Sequence, residues 1–83
     1  MDDGAAVHEV RLTLHAERAP VRVSLEPTAM EYRLAPGDSI GVLISGPGTG
    51  IVDVSHVQDM IVVWPWAGGE VRAFVADGSE LDV

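Results

Sequence analysis

Apolar residues in this chain fall at every second position, in short runs broken by Pro, Gly and Asp. From Val7 to His15, Val10, Leu12 and Leu14 share one parity, and Glu9, Arg11, Thr13 and His15 take the other. A period of two over this length predicts a strand with one buried face. Val21 to Glu26 repeats the pattern, with Val21, Val23 and Leu25 on one side. These first two strands are expected to pair as an antiparallel hairpin across the Ala16–Pro20 connection. Pro27 ends the second strand, and Met30, Tyr32 and Leu34 form the inward set of a third. The stretch from Val21 to Ile44 thus reads as three consecutive strands with two Pro-containing breaks.

The second break, Ala35-Pro36-Gly37-Asp38, carries the residues of a type II turn. Pro36 presets φ at the first central position and Gly37 supplies positive φ at the second. A fourth strand follows over Ile40 to Ile44, and Gly41 within it marks a bulge or a close backbone approach. Ser45 to Gly50, SGPGTG, reads as the most flexible stretch. Ile51 to Ser55 is a fifth strand with Val52 and Val54 inward, and His56 to Asp59 a turn. Met60 to Trp66, MIVVWPW, is the most apolar run. Near-continuous apolarity predicts a central strand covered on both faces, or covered on one face by a partner chain.

Ala67-Gly68-Gly69 is a tight turn and Glu70 to Ala76 a seventh strand. Asp77-Gly78 has the composition of a hairpin turn with two positive φ values. Ser79 to Val83 adds a short last strand. No helix of useful length is predicted. Strands spaced by about ten residues, with turn signals between them, predict an all-β fold. The expected form is a small antiparallel sandwich or partly open barrel of seven to eight short strands. Residues 1–83 form a single domain, with 1–6 as a lead-in. The expected core is the inward set of each strand, including Val54, Val62 and Val75.

Composition narrows the possible roles. The 83 residues contain no cysteine, which excludes disulfides, thiolate metal sites and cysteine nucleophiles. The net charge is −8, and Arg11, Arg18, Arg22, Arg33 and Arg72 supply the five cations. Such a chain repels phosphate backbones and anionic membranes, so neither nucleic acid nor membrane is an expected partner. The acidity serves solubility or docking to a basic partner. A cysteine-free chain whose first residues are acidic rather than basic is expected in the cytoplasm.

Catalytic chemistry has little to stand on. His8, His15 and His56 follow none of the metal-ligand spacings, so no metal or cofactor is implied. SGPGTG lacks the Lys-Ser/Thr of a phosphate loop, and no helix follows it. No serine lies in a G-x-S-x-G elbow. LAPGDSI is similar to the Pro-Gly-Asp turn of cupins, but the histidines and glutamate of cupin metal motifs do not accompany it. The informative oddity is Trp64-Pro65-Trp66. In an extended strand both indoles project from one face, about 7 Å apart. They are therefore the candidate binding residues, as a stacking platform or an anchor for a protein partner. The opposing expectation is that they cap the core. Pro65 has no N–H for a ladder, which places this segment at an edge or a bulge.

LEPTAMEYRLAPGDSI, the valine-rich strand with W-P-W, and the closing VRAFVADGSEL together resemble a group of small uncharacterised bacterial β-proteins. The resemblance covers residues 10 to 81 and implies a stand-alone β-fold without assigning any activity.

The leading expectation is a non-enzymatic binding or accessory module acting through protein–protein contacts at Trp64 and Trp66. The alternatives are a small metal- or ligand-dependent enzyme of cupin-like type, and a structural subunit of a larger assembly. Self-association into a homo-oligomer through the Met60–Trp66 strand would also cover an exposed edge.

Overall fold

A computed structural model describes residues 6–81. Among these residues eight strands form two four-stranded sheets that face each other as a sandwich and do not close into a barrel. The strands are β1 (Val7–His15), β2 (Val21–Leu25), β3 (Met30–Leu34) and β4 (Ser39–Pro47), then β5 (Asp53–Val57), β6 (Met60–Trp64), β7 (Glu70–Val75) and β8 (Glu80–Leu81). One sheet has the order β1-β4-β7-β8 and the other β3-β2-β6-β5. Five of the ladders are antiparallel, and β2 with β6 is parallel. The lead-in assigned to residues 1–6 lies outside the described residues except for Ala6, as do Asp82 and Val83 of the last strand.

The expected β1–β2 hairpin does not form. β1 pairs with β4, and β2 with β3 and β6. A period of two tells which face a strand buries and says nothing about its neighbour. Here the connection decides the matter. Ala16 is buried, donates its N–H to the Asp38 carbonyl (3.0 Å) and accepts from Gly37 N–H (2.6 Å). That contact pins the end of β1 to the Ala35–Asp38 turn, and the chain crosses to the other sheet by Pro20. The turn itself is as expected. Asp38 N–H bonds the Ala35 carbonyl at 2.9 Å, and Gly37 has φ +92°. At Asp77-Gly78 only Gly78 has positive φ, at +94°. The hairpin is closed by Val75 N–H to the Ser79 carbonyl, a three-residue loop in place of the two-residue one.

The core is aliphatic and lies between the sheets. Val23, Leu25, Ile40, Ile44 and Val63 are its fully buried large side chains. Val10, Leu12 and Leu14 of β1 pack against it, as the alternation requires. Three assignments shift. β6 turns Ile61 and Val63 inward and Val62 outward, since a run of consecutive apolar residues carries no parity signal. Val54 and Val75 stay substantially exposed, because each lies on a strand near the margin of its sheet. Leu43 is buried on the opposite face of its sheet, between Arg11 of β1 and Arg72 of β7 in register. The aliphatic stems of long arginines readily cover such a leucine.

Candidate protein-contact edge

β6 ends at Trp64 because Pro65 cannot extend the ladder. The chain then enters a turn in which Gly69 N–H bonds the Trp66 carbonyl at 2.9 Å. This change of direction separates the two tryptophans. Trp64 is 47% exposed on the outer face of its sheet, whereas Trp66 is 6% exposed at the end of the core. The shared-face platform expected from an extended Trp64-Pro65-Trp66 is therefore not formed.

Trp66 sits in a pocket made by SGPGTG. Its Nε1–H donates to the Pro47 carbonyl at 3.0 Å, and its ring meets His8 edge-on at 6.4 Å between centroids. Gly48, at φ +134°, lies so close to the indole that a Cβ there would collide with Cδ1. The glycine-rich run thus serves close packing around Trp66. Ser45 to Pro47 are strand residues paired with β1.

Trp64 belongs to a different surface. Its ladder partner is Asp53 of β5, and Val57 of β5 pairs with Met60. Paired residues share a face, so Trp64, Val62, Met60 and Val57 lie together on the outside of the β6–β5 half of the sheet. The β3–β2 half of that face is charged. Arg22 lies 3.0 Å from Asp59 and 3.7 Å from Glu31. The Arg22–Asp59 hydrogen bond holds the Asp59 carboxyl below its usual range and raises the guanidinium.

β5 is the outermost strand of its sheet, and all five of its residues are exposed. Every second residue of β5 turns its N–H and C=O away from β6, toward the open side. Ile51, Val54, Val57 and Trp64 are 65, 51, 59 and 47% exposed. They gather the greater part of the large exposed apolar side chains into one region. The other edges are guarded: β1 carries Glu9 and Arg11, β3 carries Glu31 and Arg33, and β8 is two residues long. Between Ile51 and Gln58 the sole formal charge at pH 7 is Asp53.

The three histidines are not brought together. His8 and His15 stand at opposite ends of β1, about 23 Å apart by strand rise, and His56 lies on β5 of the other sheet. Among the described residues no three His, Asp or Glu side chains are placed to hold a metal ion. A cleft of about 490 Å³ opens between β3, the Ala35–Asp38 turn and the β7–β8 hairpin, floored by Tyr32, Leu34, Ile40 and Leu81. The two carboxylates on its rim serve their own turns. Asp38 accepts from Ala35 N–H, and Asp77 accepts from Ser79 N–H, which lowers its pKa. Among the described residues no helix is long and apolar enough to cross a membrane.

Compared with known proteins, the chain matches no family model, no curated protein and no solved structure.

The pattern predicts a fifth strand over Ile51 to Ser55 and a turn over His56 to Asp59; the strand instead runs over Asp53–Val57, and only Gln58 and Asp59 form the turn. Trp64 stands out by composition, whereas the openness of β5 follows from its place at the margin of the sheet.

Proposed function

We propose that the protein is a non-enzymatic binding module that acts through protein–protein contact at the β5 edge, with Trp64 beside it. The observation that carries this reading is the unguarded strand: β5 is wholly exposed, with Val54 on one face and Val57 on the other. Edge strands of this kind recruit a further strand through backbone hydrogen bonds, and side chains at alternate positions select the partner. Trp64 contributes a large apolar surface next to those bonds. Trp66 supports the module from within the core. The acidic, cysteine-free composition fits a cytoplasmic location. The scattered histidines give the cupin-like enzyme reading no support.

The test compares variants of the immobilised chain against an extract of the parent cell. Val57→Lys and Trp64→Ala should each lower retention of a specific protein about tenfold. Glu9→Ala on the β1 edge should leave retention unchanged. A retained set that is the same for all three variants would overturn the β5 reading.

A further inference from the structure

We infer that the occupant of the β5 edge is β5 of a second copy of this chain, paired antiparallel about a two-fold axis at Val54. The inference rests on the edge reading above and names its partner.

The argument starts from the rows of side chains across the sheet. Met30, Leu25, Val63 and Val54 stand in one row on the inner face. Leu25 and Val63 are buried, while Val54 at the end of the row is half open to solvent. An antiparallel neighbour centred on Val54 continues that row with Val54, Val63 and Leu25 of the second copy. The core then runs unbroken from one sandwich into the next.

Two of the three remaining pairs also fit this register, while the third sets Val52, already packed against its own core, opposite His56. Asp53 comes opposite Ser55 of the second copy, a carboxylate facing a hydroxyl donor. Continued by two residues, the pairing sets Ile51 opposite Val57. All three exposed apolar side chains of the edge thus meet apolar partners, and no two like charges are opposed. Shifting the axis to Ser55 sets Val54 against His56 and Asp53 against Val57. Shifting it to His56 sets Val54 against Gln58. Face identity requires the axis to move in whole residues, so among these three registers the Val54 axis alone pairs apolar with apolar.

Charge also favours a second copy over a basic strand from elsewhere. The chain as a whole is at −8. Yet a basic strand laid along β5 would meet one carboxylate, Asp53, since Asp59 is held by Arg22. A two-fold interface of this kind is isologous, so it closes after two copies and does not grow into a fibre.

The absence of cysteine makes the register directly readable. Directly opposed residues of an antiparallel pair have Cα atoms about 5.5 Å apart, within reach of a disulfide. Single-cysteine variants Val54→Cys, Ser55→Cys and His56→Cys should be compared under mild oxidation, with Thr49→Cys as the collision control. Val54→Cys should couple about tenfold faster than any of the others. The wild-type mass, followed by sedimentation equilibrium, should rise from 8.8 kDa toward twice that value with concentration. Amide exchange at Val54 and His56 should slow in step, a readout that needs no substitution.

Faster coupling at Ser55→Cys or His56→Cys overturns the Val54 axis. A wild-type chain that stays at 8.8 kDa at every concentration overturns the second copy as occupant. That second failure leaves the edge itself to the capture comparison, where loss of a different protein with Val57→Lys would still identify it as a contact surface.

Discussion

Two tryptophans, one residue between them, mark two different ways in which a thin sandwich can stop. Under Pro47 and Gly48 the core is sealed. Trp66 fills the end, its N–H is bonded to a carbonyl, and glycines bring the wall close. Beneath Trp64 the sheet is left open, with β5 exposed along its length. A chain of this size has little stability to spare. It has buried one of its two tryptophans behind closely packed glycines at one end, while leaving the other tryptophan and apolar valines exposed at the open side. The open side is therefore not a shortage of sealing material. Charges of both signs blunt β1 and β3, whereas β5 carries Asp53 alone.

The largest effects should separate the two regions by stability alone. Trp66→Ala removes a buried indole and orphans the Pro47 carbonyl, and should cost about 3–5 kcal/mol in urea unfolding. Trp64→Ala should cost about 1 kcal/mol or less, as an exposed position does. Equal costs would mean that Trp66 is held no more firmly than Trp64. Val10→Lys, on the inner face of the guarded β1, should cost about 2 kcal/mol or more through lost burial. Val54→Lys, on the inner face of the unguarded β5, should stay within about 0.5 kcal/mol when measured dilute, where self-association adds nothing. Its effect belongs instead in the solution mass, which it should hold at that of the monomer.

The backbone of the sealed end should show the next effect. Gly48→Ala must adopt φ +134° and drive a Cβ into the Trp66 ring. It should cost about 2–3 kcal/mol, with a near-ultraviolet signal altered by the displaced indole. Gly37→Ala adopts φ +92° in a turn where a Cβ meets nothing within 4 Å. It should cost about 1 kcal/mol from backbone conformation alone. If the two cost the same, the glycine-rich run is a turn and no more, and Trp66 is less tightly held than its contacts imply.

Much of the fold was legible because period-two alternation reports burial directly. β1 and β3 have the bounds their pattern predicts, and Val10, Leu12 and Leu14 point where parity puts them. Legibility failed where that signal is silent. MIVVW has no alternation, so parity points to Val62 as readily as to Ile61 and Val63, which are the residues that face the core. The partner of β1 was set by the buried Ala16 and its two backbone bonds, which no local pattern announces. The candidate site was half legible. Trp64 stood out by composition, but the shared face with Trp66 assumed that the strand continued through Pro65. The openness of β5 was hidden because Val54 has the parity of a core residue and Val57 falls in a stretch that reads as turn. Only the order of the sheet shows that, among the described residues, no strand lies beyond them.

The smallest expected effect is the acid response of the charged pairs, and it too distinguishes the two regions. In the sheet that ends in β5, the Arg22 hydrogen bond holds the Asp59 carboxyl below its usual range. In the other sheet, Arg72 does the same for Glu80 through paired bonds of 2.8 and 3.0 Å. A carboxyl with a lowered folded pKa binds its proton more weakly folded than unfolded. Its stabilisation is complete above the unfolded pKa, near 4, and is lost as pH falls through the folded one. Protonation also relieves the repulsion of a chain at −8, which acts in the opposite sense. The pair contribution is therefore read as a difference between wild type and Asp59→Asn. That difference should be flat from neutral pH to about 5 and then shrink toward zero in acid. Both groups are exposed, so it will be small. Glu80→Gln should behave alike in stability and leave the solution mass unchanged, being remote from β5. A change in mass with Glu80→Gln would move the contact surface to the other sheet.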